Sequence, residues 1–120
     1  MGRNRDVPPE TVRLPLSDGD FLTVIKELNA GEYLDMLENQ AAGQQLARVI
    51  AYLVSWTVVG AGDTPIPYSV QMSRDERRSV LRGRDVWTLV EITQAIEAHH
   101  ATLEHRIQEK KRVQELALAS

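Results

Sequence analysis

The chain contains no cysteine, which excludes a disulfide scaffold, thiol catalysis and thiolate zinc sites. That absence fits a reducing cytoplasm. Aromatic residues make up only 5% of the sequence, so a core has to be built mainly from Leu, Val, Ile and Ala. Long apolar runs are missing as well. The longest, from Leu46 to Val59, is interrupted by Arg48, Ser55 and Thr57 and is too short to span a bilayer. The opening MGRNRDVPPE is charged with no apolar core behind it, so it is not expected to act as a signal peptide. Nor is one sign of charge dominant, the net value being −3. Residues 17–72 carry 2 positive and 7 negative groups, whereas residues 73–88 carry 5 positive and 3 negative. Such alternation argues against nucleic acid as a partner, because phosphate binding needs a continuous basic face. It is compatible with docking to another protein.

What is present is one domain's worth of chain, 120 residues with ordinary apolar and charged fractions. Residues 1–11 are polar with Pro8-Pro9 and read as a disordered segment. Val12, Leu14 and Leu16 then recur at every second position, the spacing of a half-buried strand. Pro15 removes one amide donor and suits an edge. Asp18-Gly19 is a favoured pair for a two-residue turn in which both positions need positive φ. The following FLTVIKEL, residues 21–28, places Leu22, Val24 and Leu28 on one face of a strand. Leu22, Ile25 and Leu28 also fit a helix, so both forms are open for this segment; the hairpin is the preferred reading. Asp18 and Asp20 lack the series of alternating ligands and the closing Glu of a calcium loop, and read as a solvated turn.

Four features describe the helical remainder. Asn29 followed by Glu32 forms a helix start near Ala30, with Leu34 and Leu37 at helical spacing and Gly43 as a break. QQLARVIAYLVSW, apolar over most of its circumference, reads as a central buried helix closed by Trp56. Gly60, Gly62, Pro65 and Pro67 describe a loop. Ser73 and Glu76 form a capping box for a short helix that Gly83 ends. Asp85 caps the last helix, in which Leu89, Ile92, Ile96, His99 and Leu103 alternate spacings of three and four. The expected fold class is mainly α: a small N-terminal β-hairpin followed by a helical domain with a long C-terminal helix. Residues 12–105 form the domain, and 106–120 a helical extension or tail.

Chemistry is sparse. His99, His100 and His105 lie near Glu97 and Glu104, but the metalloprotease spacing of two His four apart around a Glu is absent, and these groups read as a polar face. His99 lies on the apolar stripe and reads as a packing residue. Arg74, Arg77, Arg78, Arg82 and Arg84 are interleaved with Asp75, Glu76 and Asp85, which favours local ion pairs. Gly60-Ala61-Gly62 lacks the further glycine and the helix start of a dinucleotide loop. There is no P-loop and no nucleophile-elbow serine. The expectation is a protein that is not an enzyme and uses no cofactor or metal.

Several segments, in this order, resemble the tail assembly chaperones of long-tailed bacteriophages. They are VRLPLSDGDFLTVIKELNAGE at 12–32, IAYLVSWTVV at 50–59, GDTPIP at 62–67 and VWTLVEITQAIEAHH at 86–100. The loop reads Gly-Ala-Gly-Asp-Thr-Pro rather than the more usual Asp-Gly-x-Pro. The resemblance implies a small, helix-rich, non-catalytic protein that binds the tape measure protein in the host cytoplasm. It would keep that protein soluble, help to recruit tail tube subunits and be absent from the finished particle. Similar proteins usually also occur as a longer frameshifted product.

A tape measure protein is a long helical chain with apolar seams, so a chaperone for it needs apolar helical surface. Leu103, Ile107, Val113, Leu116 and Leu118 of the last helix and tail are the expected contact residues. The plain alternative is a frayed terminus with no partner. Exposed apolar helices also self-associate, which makes a homo-oligomer an expectation. Two further readings are a structural tail-completion or connector protein retained in the virion, and a regulatory nucleic-acid binder using the Arg74–Arg84 cluster.

Overall fold

In the computed structural model of the chain, residues 9–119 are described. Strand β1, Thr11–Pro15, pairs antiparallel with β2, Phe21–Ile25, with Val12 opposite Val24 and Leu14 opposite Leu22. Val12, Leu14, Leu22 and Val24 therefore share the inner face of the sheet. The turn between the strands has positive φ at both central residues, 60° at Asp18 and 80° at Gly19, and the Asp20 amide donates to the Ser17 carbonyl at 3.3 Å. The hairpin form of residues 21–25 follows from this turn, which matches the twist of paired strands. Pairing also reaches further back than expected: Thr11 opens β1 and the Glu10 carbonyl accepts from the Lys26 amide at 2.9 Å. The rest of the expected disordered segment, residues 1–8, lies outside the described residues.

Helix α1, Ala30–Ala41, begins at Asn29, whose Oδ1 accepts from the Glu32 amide at 2.8 Å while Glu32 Oε1 accepts from the Asn29 amide at 2.9 Å. Its core side differs from expectation. Met36 is buried, whereas Leu34 and Leu37 are 57% and 39% exposed. Tyr33 and Met36, one turn apart, face the body instead, and Leu34 and Leu37 form an outward ridge. Gly43, at φ 81°, ends the segment as expected.

The expected central helix is shorter than its apolar run. Helix α2 spans only Ala47–Tyr52, and Leu53–Trp56 continue as strand β3, antiparallel to β2. The run is buried, as its composition implied, but the inner strand β2 needs a hydrogen-bonding partner on each side. The sheet takes Leu53–Trp56 to satisfy it, overriding helical spacing. The loop after β3 is closed by the bridge between Val59 and Pro65 and by the Trp56 Nε1–H donating to the Ile66 carbonyl at 2.8 Å. Helix α3, Arg74–Arg82, has the Ser73–Glu76 capping box, and helix α4 runs over Val86–Ala119. Asp85 accepts from the Thr88 amide at 3.1 Å at the start of α4.

The fold is thus mainly α, with a three-stranded N-terminal sheet and a long last helix. A single apolar cluster joins Leu22 and Val24 of the sheet to Met36, Ile50, Tyr52, Leu81, Ile92 and Ile96. Met36→Ala should cost about 2–5 kcal/mol, whereas Leu34→Ala should change stability by no more than about 0.5 kcal/mol. Urea denaturation of the two variants checks which side of α1 faces the core.

Candidate functional site

Helix α4 is 34 residues long, about 51 Å at the usual rise, in a molecule whose long axis is 63 Å. It contains neither Gly nor Pro, so nothing in the sequence interrupts it. Its first half is fastened to the body along its length. Ser17, at the hairpin turn, donates from its amide and hydroxyl to the two carboxylate oxygens of Glu91, at 3.0 and 2.9 Å. Ile92 and Ile96 are fully buried. The His99 Nε2–H donates to the carbonyl of Ile25 at 3.0 Å, and the ring meets Tyr52 edge-on at 5.3 Å.

One turn later the fastening becomes polar. His100 is only 3% exposed, a correction to the expected solvated polar face. Its Nδ1 accepts from the Tyr52 hydroxyl at 2.8 Å, and its Nε2–H donates to Glu104 Oε1 at 3.1 Å. The same carboxylate oxygen accepts from the Tyr33 hydroxyl at 3.0 Å. A neutral His100 with its proton on Nε2 satisfies all of these bonds at once. Burial, aided by the Arg48 cation, outweighs Glu104 and holds the His100 pKa below its ordinary value. Burial also pushes Tyr52 up to about 12. The bond to Glu104, followed by burial, raises Tyr33. Arg48 itself pairs with Glu97. The network therefore joins α1, α2 and α4 through Tyr33, Tyr52, His100 and Glu104.

Leu103 is 9% exposed, so this expected contact residue belongs to the packed body. Ile107 is half-buried, just past the Arg106–Glu27 ion pair at 3.1 Å. From Gln108 to Leu118 every residue is exposed, with Val113, Leu116 and Leu118 at 64%, 63% and 87%. These three do not form one face. At about 100° per residue, Val113 and Leu116 lie on one side, between Lys110 and Arg112, and Leu118 lies roughly opposite Leu116. Five residues expected to act together are thus divided among the core, its margin and two sides of a projecting rod.

Two exposed apolar groups were not anticipated. One is the Leu34–Leu37 ridge of α1. The other is Val86, Trp87 and Val90 at the start of α4, of which Trp87 is 79% exposed. The signal for the ridge was available in Tyr33 and Met36, which claim the inner side of α1. Among the expected ion pairs of α3, Arg78–Asp75 is formed at 3.7 Å and Asp75 is largely exposed, a weak contact. Among the described residues, no group of three or more His, Asp or Glu stands together to hold a metal ion, and no helix is long and apolar enough to cross a membrane.

The lowered His100 pKa fixes the sign of a pH effect. Above the unfolded value of about 6.5, His100 is neutral in both states and its contribution to stability is complete. As pH falls through that value the unfolded chain takes up the proton first, so stability declines until pH passes below the folded pKa. The urea midpoint should therefore fall between pH about 7.5 and about 5, and His100→Gln should be less stable at the upper pH with a shallower decline below it. Equal pH dependence in the variant would contradict a buried neutral His100.

Comparison with known protein families, with characterised proteins and with solved structures finds no match to this chain.

Proposed function

We propose that the chain is a bacteriophage tail assembly chaperone that binds the tape measure protein, keeps it soluble and aids recruitment of tail tube subunits. The observation that carries this reading is the end of α4: about three turns of helix beyond the body, with Val113, Leu116 and Leu118 in solvent. A rod of this kind is suited to lie along another amphipathic helix. The Tyr33–His100–Glu104 network supports the reading, because it holds the base of the rod in one direction and reduces the ordering cost of binding. The sequence segments that resemble the tail chaperones fall on the hairpin and α1 cap, on α2 and β3, on the Gly/Pro loop and on the anchored half of α4. On this reading the protein makes and breaks no bond. It acts in the host cytoplasm and leaves before the particle is complete.

Magnitudes restrict how such a rod works. Val113 and Leu116, the two that share a side, give at most about 1.5–3 kcal/mol each on burial, and association costs about 4–15 kcal/mol. One rod alone binds weakly, so a long partner has to be held by several copies at once.

Co-expression with the tape measure protein of the same phage tests the proposal. The soluble fraction of that protein should rise several-fold with the full chain and return to baseline when residues 108–119 are removed or when Val113 and Leu116 are both changed to Glu. Solubility indifferent to the chain would overturn the proposal. Recovery of the chain from purified particles would favour a connector retained in the virion.

A further inference from the structure

We propose that the outward face of the anchored half of α4 is a second docking surface, which takes one amphipathic helix of another protein with Lys or Arg beside its apolar stripe. At about 100° per residue, Trp87, Val90, Gln94, Ala98 and Ala101 fall on one side of α4, opposite the buried Ile92, Ile96 and Leu103. All five are exposed. Their spacings of three and four are those of a seam between two helices, and the span from Trp87 to Ala101 is about 21 Å, or four turns. Trp87 and Val90, with Val86 beside them, raise one end of the seam, and the two alanines lower the other. An exposed tryptophan joined to other apolar side chains marks an interaction surface.

Charge selects the occupant. Residues 85–104 contain Asp85, Glu91, Glu97 and Glu104 and neither Lys nor Arg. Glu104 is turned inward to Tyr33 and His100, and Glu97 is matched by Arg48. Asp85 and Glu91 are held by neutral donors, the amides and hydroxyls of Thr88 and Ser17, which leave their charge in place. The hairpin turn that bonds Glu91 adds the exposed Asp18. Three carboxylates thus lie about the Trp87 end, against the half-buried Arg84, whose Nε–H donates to the Val80 carbonyl. A partner cation there meets those carboxylates and the face of the indole. A second copy of the chain does not fit the seam. Laid antiparallel, two copies place Trp87 over Ala101 and Val90 over Ala98, but they also set Glu91 against Glu97. Laid parallel, they set Trp87 on Trp87 and Glu91 on Glu91. Nor can the end of α4 fold back on the seam, since α4 has no Gly or Pro at which to bend. The seam does not include residues 108–119, so this docking goes beyond the chaperone reading and stands apart from the hold on the tape measure protein.

Fluorescence anisotropy of a labelled helical peptide tests the proposal, with the full chain as receptor. The peptide has about three heptads, with Leu at the two seam positions and Lys beside them; a counterpart has Glu in place of Lys. The Lys peptide should bind with a Kd of about 10–100 µM, shift the tryptophan emission of the chain to shorter wavelength, and bind more weakly as salt is raised. The Glu peptide should bind about tenfold more weakly or worse. Trp87→Ser with Val90→Ser, and separately Ala98→Arg with Ala101→Arg, should each weaken the Lys peptide about tenfold or more. Leu34→Ser with Leu37→Ser, on α1, should leave it unchanged. All of these positions are exposed, and circular dichroism should show each variant folded. No binding of the Lys peptide, equal binding of the two peptides, or equal binding by the wild type and either seam variant would overturn the inference. Loss of binding in the α1 variant would do so too, since the peptide would then not be seated on the seam. Co-expression with the tape measure protein reads residues 108–119 separately, so either result can fail without the other.

Discussion

The hydrogen bonds that converge on Glu104 govern how the rest of this molecule is used. His100 and Tyr33 both donate to one carboxylate oxygen, and Tyr52 donates to the far side of the same imidazole. Without them α4 would still be a helix packed through Ile92, Ile96 and Leu103, but past His99 its polar fastening would rest on the Arg106–Glu27 pair, which is exposed and weak. With them, polar groups from α1, α2 and α4 are satisfied together around the buried His100 and Tyr52, and leaving either of those two unpaired costs about 1–3 kcal/mol. The base of the helix is therefore specified in orientation as well as position. A helix that leaves the body at a defined angle can present apolar side chains in a defined place, which a frayed terminus cannot.

Division of labour along α4 follows from its sequence. The stripe Ile92, Ile96, His99 and Leu103 packs on the sheet and on α2, and at Ile107 it reaches the edge of the body. Its next positions are Lys110 and Gln114, which have no apolar surface to cover. The apolar residues that follow, Val113 and Leu116, are turned away from the line of the core. They serve no intramolecular purpose in this fold. Together with the outward ridge of α1 they leave two exposed apolar surfaces on one chain.

Much of this was legible in the sequence where local chemistry decides structure. Asp18-Gly19 specified its turn because few other residues accept positive φ twice in succession. Asn29, Ser73 and Asp85 marked three helix starts because their side chains satisfy amides that nothing else reaches. Periodicity located the core side of α4 through Leu103. What escaped was settled by contacts distant in sequence. Leu53–Trp56 became a strand because β2 needed a second partner, a demand invisible within the segment itself. Leu34 and Leu37 were displaced from the core by Met36, which packs into the apolar cluster, and by Tyr33, which meets His100 and Glu104 about seventy residues away. His100 read as polar surface since no local pattern reveals that Tyr52 waits to bond it.

The central claim is that the last turns of α4 act by lying against a helix of another chain. Amide hydrogen exchange over residues 108–119 addresses it most directly, comparing the free chain with its soluble complex with the tape measure protein. The account predicts fast exchange in dilute free protein and strong slowing in the complex, centred on Val113 to Leu118. Protection confined to other surfaces, such as Val86 to Val90, with the end of α4 unchanged, would contradict it.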